Sequence, residues 1–476
     1  MSFQSLIPYV AIALYLFATL AVGILGYRRS QNTPDDYFLA DRNINPIVLF
    51  FTLSATNFSA FAFLGFAGAG YRIGIGYYAM MSFGTALVAL AFYFIGNPVW
   101  LLGKEKGFIT PPQLIGDRFK SQPLKLLFLA VMTIFTIPYL TLQPIGAGLL
   151  LEKLTNGQLP YFTGATLLTC VIVLYVFIGG MRSVAFTDVL QGILMFGLML
   201  AAVGAIAHSL GGVAAANQAV YELKPDLLSR QGVGDFFTKQ KWFSYMVLWL
   251  LSVPMFPQMF MRFYTPKTNQ SLKLSAICYP LITAILFICP VSIGMWGNIA
   301  FPGLEGKATD SILPMMLAEY TPVWFASLIM VGALAALMST MDSQLLALSS
   351  MLTRDIYIEH VRKSASLKEQ TIVGRILIIV LAGIGLFFAY QPPDTIFTIA
   401  TQAFTGLAVI FPTTIAALYR PNISPMICIV SILVGEAGVI GFQTGIIPES
   451  LTFGFLPVVP IAIVSGLIIL LGAFHK

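Results

Sequence analysis

Apolar runs of membrane-spanning length recur along the whole chain, separated by short segments rich in charge, Pro or Gly. An α-helix needs roughly 20 apolar residues to cross the hydrocarbon core of a bilayer. The pattern predicts 13 such helices, at residues 6–27, 46–70, 76–103, 122–150, 158–180, 184–208, 240–261, 274–300, 323–350, 371–390, 394–419, 424–443 and 454–474. We therefore expect an all-α polytopic membrane protein, with a single transmembrane domain over residues 1–476.

Composition strengthens this interpretation. Of the 476 residues, 58% are hydrophobic and only 10% are charged, whereas soluble domains carry about 25% charged residues. The first apolar run, LIPYVAIALYLFATLAVGIL, is too long for a signal peptide, and no basic residue precedes it. We interpret it as a retained helix, and a water-soluble protein is excluded.

The distribution of Lys and Arg predicts the orientation. Thirteen spans place the termini on opposite sides, and cytoplasmic flanks collect basic residues. With the N-terminus outside, 19 of the 26 Lys and Arg residues fall on the inner side and seven on the outer side. The sequence thus predicts a multi-pass protein of the plasma (cell inner) membrane with an outer N-terminus and a cytoplasmic C-terminus.

Two of the predicted spans are interrupted. Polar residues 54–59 divide the second span, and Pro254 and Pro257 remove backbone donors in the middle of the seventh. Matched breaks in two halves of a chain indicate an inverted-repeat transporter with its binding site at the breaks. The predicted halves are residues 46–208 and 240–419.

This division leaves one extra helix before the repeats, residues 6–27, and two after them within residues 424–474. Ordinary kinks in packed helices are the alternative explanation for either break alone.

A small group of hydroxyls lies in the apolar span 323–350. Ala336, Ser339 and Thr340 share one helix face because they stand at positions i, i+3 and i+4. Hydroxyl and carbonyl oxygens suit a hard cation such as Na⁺, and unwound backbone at Ala55 and Phe58 offers further carbonyls. The alternative is that both hydroxyls hydrogen-bond to the preceding helical turn.

Four segments of the chain resemble the sodium:solute symporter family. They are LSATNFSAFAFLGFAGAGY, GGMRSVAFTDVLQG, FPQMFMRFY and AALMSTMDSQLLALSSMLTRDIY. The resemblance extends over essentially the whole chain. Within the family, the chain most resembles the prokaryotic monocarboxylate- and pantothenate-type members. It implies a core of two inverted five-helix repeats.

The resemblance also implies the ion sites. The family's main sodium site matches Ala55, Phe58, Ala336, Ser339 and Thr340 of this chain.

Some members bind a second sodium ion between an Asp and nearby hydroxyls, which match Asp188, Ser339, Asp342 and Ser343 here. This chain departs from those members because it has a carboxylate at Asp342 where they have Ser. The carboxylate strengthens a second cation site, binds a proton or belongs to an inner gate. An alternative role for Asp188 is that of a helix N-cap.

The solute should lie at mid-membrane, beside the two breaks. The residues whose positions suggest substrate binding are Thr56, Ser59, Phe61, Tyr139, Gln143, Trp249, Gln258 and Gln402, with Asn57, Phe63 and Thr405 as further candidates. Helix–helix hydrogen bonding or lipid-facing packing is the alternative for each. The resemblance makes a sugar or sialic acid substrate unexpected, because the Gln, Glu and Arg that such members use are absent.

These observations predict a sodium-coupled secondary symporter that imports a small organic solute by alternating access, with Na⁺ as coupling ion. The expected solute is a monocarboxylate or similar organic anion. A proton-coupled or uncoupled carrier of proline-like amino acids or pantothenate is the alternative. The expected partners are the solute and the lipid bilayer, and the sequence does not set the oligomeric state.

Other classes of function have no support in the sequence. The three His residues are scattered, and neither an enzyme motif of the HExxH or GxSxG type nor a phosphate-binding GxxxxGK[ST] loop is present. We therefore expect no enzyme and no nucleic-acid partner.

Overall fold

The computed structural model describes residues 3–28 and 33–474, and over these ranges helices joined by turns and short irregular segments make up the fold. We number the α-helices α1 to α20. They are Phe3–Tyr27, Pro34–Leu39, Pro46–Asn57, Phe66–Ile73, Gly76–Ala91, Asn97–Lys106, Pro111–Phe119, Gln122–Leu154, Tyr161–Ser209, Val213–Leu223, Lys239–Ser252, Pro257–Arg262, Asn269–Ala300, Ile312–Tyr320, Val323–Met351, Leu367–Ala389, Ile396–Ala408, Phe411–Tyr419, Pro425–Gln443 and Val458–Phe474.

Shorter helical turns connect several of these helices. π-helical turns lie at Phe61–Gly65, Phe92–Gly96 and Leu352–Val361, and 3₁₀ turns lie at Ala40–Arg42, Pro225–Leu228, Val233–Asp235, Val253–Met255, Gly306–Ser311 and Glu449–Thr452. The described residues contain no strand, and one isolated backbone bridge pairs Ile44 with Pro266.

Nine helices in the described part of the chain are long and apolar enough to cross a bilayer, or ten if the bent pair α3–α4 is one span. The predicted number of 13 is therefore not confirmed by length and hydropathy. Breaks explain part of the difference, because they divide a span into pieces shorter than a bilayer requires. The seventh predicted span, for example, is divided between α11 and α12.

The predicted spans 158–180 and 184–208 form one continuous element, α9, of 49 residues. At 1.5 Å per residue such a helix is roughly 74 Å long, more than twice the hydrocarbon thickness. It changes direction at Gly180, whose φ of 57° and ψ of −152° are not helical. Only glycine adopts this backbone region readily.

The predicted break in the second span is confirmed. The helix direction turns by 62° between α3 and α4. Phe58 ends α3 in an extended conformation, with φ of −93° and ψ of 99°. The break therefore exposes backbone groups in the interior of the protein.

The predicted break in the seventh span is confirmed as well. Helix α11 ends at Ser252, a 3₁₀ turn follows, and Phe256 is extended with ψ of 131° before α12 begins at Pro257. Proline fits the first position of α12 because that position has no intrahelical N–H partner.

Helix α15 lies at the centre of the protein, and every residue from 329 to 351 is buried. It packs against α9, α8, α1, α16, α3 and α12. The predicted hydroxyl cluster lies in this segment, so its oxygen atoms must find partners inside the protein.

Candidate functional site

The break after α3 brings backbone carbonyls against the hydroxyls of α15. Ser339 Oγ lies 2.8 Å from the carbonyl oxygen of Ala55 and 3.0 Å from that of Ala336. Thr340 Oγ1 lies 3.4 Å from the carbonyl oxygen of Phe58 and 3.2 Å from that of Ala336. The structure thus brings together all five groups that the sequence suggests for sodium.

These five groups suit a small hard cation chemically. Around Ca²⁺, whose radius is close to that of Na⁺, ligand oxygens lie about 2.4 Å from the ion, which separates neighbouring oxygens by roughly 3.4 Å. Both Ser339 and Thr340 are fully buried. Each hydroxyl lies within hydrogen-bond distance of a carbonyl in its own preceding turn and of a carbonyl in the broken segment after α3. The hydrogen-bonding alternative raised by the sequence is therefore present in the structure, and binding of an ion stays a prediction.

A buried ion pair lies one helical turn further along α15. Arg262 Nη2, at the end of α12, donates to Asp188 Oδ2 of α9 at 2.9 Å and to Ser343 Oγ at 2.7 Å. Thr52 of α3 donates to the same carboxylate oxygen and accepts a hydrogen bond from Arg262 Nε at 2.8 Å. Arg262 and Asp188 are both fully buried, so this network joins four helices away from water.

Asp342 contributes a second carboxylate to the same cluster. Tyr175 donates to its Oδ2 at 2.7 Å, and Ser343 Oγ lies 2.9 Å from its Oδ1. Ser343 also donates to the carbonyl of Ser339 at 2.8 Å. The predicted second-cation residues are therefore contiguous, and the guanidinium of Arg262 lies between two of them.

The positions of Asp188 and Arg262 differ from what the sequence suggests. The alternative in which Asp188 caps a helix is wrong, because Asp188 lies two turns past the Gly180 break, in the middle of α9. Arg262 was missed as a site residue. It has no clear signal in the sequence, because an Arg at the end of an apolar segment is ordinarily a flanking residue that extends to the membrane surface.

An aromatic cavity lies beside both helix breaks. Its volume is about 10 Å³, which leaves room for roughly one water molecule. Asn57, Phe61, Ala62, Phe66, Met81, Thr85, Tyr139, Trp249, Val253, Phe287 and Phe404 line the cavity. No ionisable carboxylate, ammonium or guanidinium is among these residues. Its walls are closed by ring contacts, such as that of Trp249 with Phe404 at 4.8 Å between centroids.

Three of the eight predicted substrate residues line this cavity, namely Phe61, Tyr139 and Trp249. Ser59 stands behind Tyr139, with its Oγ 2.8 Å from the tyrosine oxygen. The further candidate Asn57 also lines the cavity and donates to Tyr279.

The other four predicted substrate residues lie elsewhere. Gln143 accepts a hydrogen bond from the Ala60 N–H at 3.0 Å, and Thr56 Oγ1 lies 3.2 Å from Ser343 Oγ. Gln258 is buried near Arg262, whose Nη1 donates to its carbonyl at 3.3 Å. Gln402 is exposed on α17. Sequence reasoning did not single out Phe66, Met81, Thr85, Val253, Phe287 and Phe404, because apolar wall residues resemble any other helix-packing residue.

Residues 37–435 match the family model described as "SSF: Sodium:solute symporter family". The chain belongs to the sodium:solute symporter family. Its members are transporters and not enzymes, and this agrees with the prediction from sequence.

Two curated members of the family illustrate the similarity. The sodium/pantothenate symporter of Escherichia coli (strain K12) is 27% identical, over 99% of this chain and 96% of its own length. The osmoregulated proline transporter OpuE of Bacillus subtilis (strain 168) is 27% identical, over 97% and 94% respectively.

Solved structures share the fold. A substrate-bound, outward-open Na⁺-coupled sialic acid symporter aligns over 98% of this chain and 97% of its own, with a TM-score of 0.80 and 19% sequence identity. A nucleobase-cation-symport-1 family transporter in a closed conformation aligns over 93% and 94%, with a TM-score of 0.61 and 12% identity. The all-helical transporter fold predicted from the sequence is thus confirmed.

Proposed function

We propose that this protein is a sodium-coupled symporter that imports a small organic solute, a monocarboxylate or a similar organic anion, by alternating access. The observation that carries the proposal is the convergence of Ser339 and Thr340 of α15 with the carbonyls of Ala55 and Phe58 at the α3 break. A site shared by two elements that must move relative to each other links ion binding to the conformation of the break.

The architecture proposed for this function is the one expected from the sequence, with 13 spans and inverted repeats at 46–208 and 240–419. The two breaks support it, because they occur in the first helix of each half. Gly180 supports counting α9 as two spans, since a straight helix of that length exceeds the bilayer. The proposed orientation keeps the N-terminus outside, as the Lys and Arg distribution favours.

The main sodium site is proposed at Ala55, Phe58, Ala336, Ser339 and Thr340. We also propose a second cation site, which is formed by Asp188, Ser339, Asp342 and Ser343. The guanidinium of Arg262 already neutralises Asp188, so a second ion would bind on the Asp342 side of the cluster. On that side, the Asp342 carboxylate forms no ion pair with any of the described residues.

The residues that line the aromatic cavity indicate how it could hold a solute. At about 10 Å³ the cavity would have to widen to admit a solute. Its aromatic walls would then suit an apolar body, and its few polar groups would orient one end. Without a charged wall, a carboxylate is proposed to bind at the dipole ends of the broken helices.

A proline-like amino acid or pantothenate is the second candidate, because relatives that match nearly the whole chain are named for these solutes. Both also carry a carboxylate. In either case one Na⁺ crossing 100 mV supplies about 2.3 kcal/mol for accumulation.

The test is uptake into proteoliposomes. Labelled pyruvate, lactate, acetate, pantothenate, proline and glucose would be supplied with an inward Na⁺ gradient, and with K⁺ or H⁺ gradients as controls. Wild type would be compared with the Ser339→Ala/Thr340→Ala double variant. Ser327→Ala is the matched control, because Ser327 lies on the same helix and bonds only to its own preceding turn.

We expect one carboxylate-bearing compound to accumulate only with sodium, with uptake lost in the double variant and kept in Ser327→Ala. Uptake that ignores sodium, or that survives in the double variant, would refute the main sodium site. Sodium-driven uptake of glucose alone would refute the assignment of an organic anion.

A further inference from the structure

A basic cleft opens where α3 begins and α12 ends. Four cationic side chains from separate segments line it, namely Arg42, Lys104, Arg182 and Lys267, together with the acidic side chain of Asp41. Its volume is about 420 Å³, which lies within the range of small-molecule sites. This basic cleft is distinct from the aromatic cavity and shares no residue with it.

Two buried donors in the basic cleft have no partner among the described residues. Arg42 Nη1 and the Tyr264 hydroxyl are both inaccessible and unpaired, and Tyr264 is only 1% exposed. The guanidinium is fixed, because Arg42 Nη2 donates to the carbonyl of Phe108 at 2.8 Å. Unpaired buried donors are rare in folded proteins because each forfeits its hydrogen bonds to water. Both residues line the cleft, so a small movement of its wall would let these donors reach an acceptor bound there.

The charges of the cleft also call for an anion. Arg182 is paired with Asp36 at 2.5 Å and lies 3.2 Å from Asp41. Lys104 and Lys267 have no ion-pair partner within residues 3–28 and 33–474, and Lys104 lies over the Trp100 ring. The four cations of the cleft face the carboxylates of Asp35, Asp36 and Asp41, which leaves about one positive charge uncompensated. A phosphate monoester carries about −1.5 to −2 at neutral pH.

The backbone at the cleft is held in an unusual conformation. Ala40, Asp41 and Arg42 have φ values of 52°, 54° and 54°, a left-handed run that residues other than glycine rarely adopt. Such conformations persist where the surrounding structure enforces them, and they concentrate at ligand clamps. Here the run directs the chain from α2 into α3 beside the cleft.

We propose that the basic cleft binds a phosphate-type oxyanion and that the bound anion holds this end of the protein closed. Ile44 N donates to the carbonyl of Thr265 at 3.2 Å, and Lys267 N donates to that of Ile44 at 3.1 Å, so the start of α3 is tied to the end of α12. Lys104 and Arg182 add α6 and α9. An anion that contacts all four segments stabilises only the arrangement that brings them together.

In the proposed orientation this end faces the cytoplasm, so the anion opposes opening of the inner side. The phosphate group belongs either to a soluble compound or to a lipid headgroup, since both present the same oxygens.

The test measures ligand binding to the purified full-length protein in maltoside micelles at fixed ionic strength set with chloride. Inorganic phosphate is titrated by equilibrium dialysis with ³²P, and phosphatidic acid by native mass spectrometry. The variant is Lys104→Gln/Lys267→Gln, because both side chains are exposed and we expect their replacement to keep the fold. Lys273→Gln is the matched control, an exposed lysine outside the cleft.

We expect one saturable equivalent of ligand, bound at least tenfold more weakly by the double variant and unchanged in the control. If phosphate binds and phosphatidic acid does not displace it, the ligand is a soluble oxyanion. If phosphatidic acid displaces phosphate, or if only the lipid binds, the ligand is a lipid headgroup. If neither ligand distinguishes the double variant from the control, the proposal is wrong. The readout does not involve transport, so it stands apart from any failure of the proposed function.

Discussion

Gln143 of α8 shows how one side chain stabilises the broken segment after α3. Its Oε1 accepts a hydrogen bond from the Ala60 N–H, and its Nε2 donates to the Tyr139 carbonyl, both at 3.0 Å. A helix break inside a membrane frees backbone donors that lipid cannot satisfy. Gln143 supplies the missing acceptor, a structural role of the kind that the sequence analysis raised as the alternative to solute binding.

Replacement of Gln143 by Leu should therefore destabilise the protein by roughly 1–3 kcal/mol, the cost of a buried unpaired N–H. We also expect a higher half-saturating Na⁺ concentration, because the same break presents the Ala55 and Phe58 carbonyls. Thermal unfolding in detergent, with and without Na⁺, would measure both effects, with the exposed Gln402→Leu as control. Unchanged stability together with weaker solute binding would instead make Gln143 a solute ligand.

The pair formed by Arg262 and Asp188 allows a second test at the scale of single residues. Breaking a buried ion pair by removing one partner leaves an uncompensated charge and costs about 3–5 kcal/mol. We expect Asp188→Asn and Arg262→Gln each to lower the thermal midpoint strongly. The double variant should be more stable than the sum of the two losses predicts.

A double-mutant cycle on thermal stability measures this coupling. If the losses of stability in the two single variants simply add up in the double variant, the Arg262 guanidinium does not neutralise Asp188. Lys125 and Asp355 form a comparable buried pair at 2.8 Å in a separate network and provide a control cycle.

Helical spacing explains why part of the site was predictable. Ser339 and Thr340 share a face of α15 with Ala336 whatever the tertiary structure, so their grouping follows from the sequence alone. The partners of Arg262 depend on how α12, α9 and α3 pack against one another. No periodicity within one segment contains that information, and the carboxylate pairing was therefore missed.

At the scale of helices, the breaks were predictable where the residues themselves disrupt a helix. Pro254 and Pro257 lack backbone donors, and the seventh predicted span is broken between Ser252 and Pro257 as expected. The junction at Gly180 was predicted as a short loop between spans. The structure replaces this loop by a sharp turn within α9, because one glycine absorbs the whole change of direction.

Glycine at position 180 should therefore be required. A Cβ added to Gly180 would collide with Tyr37, and the φ of 57° is unfavourable for alanine. We expect Gly180→Ala to destabilise the protein by about 1–3 kcal/mol. Gly197→Ala in the same helix has open space around it and should be neutral or stabilising by up to about 1 kcal/mol.

Size-exclusion chromatography after heating compares the two glycine variants directly. Equal thermal midpoints for Gly180→Ala and Gly197→Ala would mean that the backbone at the junction can relax. The turn at Gly180 would then not define the geometry of α9.

At the scale of the whole molecule, contacts close the end opposite the basic cleft. Asp310, in the turn Gly306–Ser311, accepts a hydrogen bond from the Ile396 N–H at 2.8 Å at the start of α17. Its other oxygen lies 3.9 Å from Arg72 Nη1 at the end of α4, and Arg72 also donates to Thr309. This turn therefore joins the first half of the chain to the second. In the proposed orientation the contact lies on the outer side.

The pKa of Asp310 is raised to about 6. Burial is the largest cause, the Ile396 N–H and Arg72 oppose it, and the charge of Asp394 adds to it. The folded protein thus binds a proton at Asp310 more tightly than the unfolded chain does. Its ionised carboxylate therefore reduces stability. This penalty is largest above about pH 6 and shrinks as the pH falls from about 6 towards the ordinary Asp pKa of about 3.9.

We therefore expect wild type to gain about 1.4 kcal/mol relative to Asp310→Asn between pH 7 and pH 5. Thermal midpoints of both proteins at pH 7, 6 and 5 would measure this difference. Asp226→Asn, at an exposed position that does not contribute to the Asp310 shift, is the control and should keep the wild-type dependence on pH. If Asp310→Asn keeps that dependence as well, a titrating group elsewhere causes it, and the pKa assigned to Asp310 is wrong.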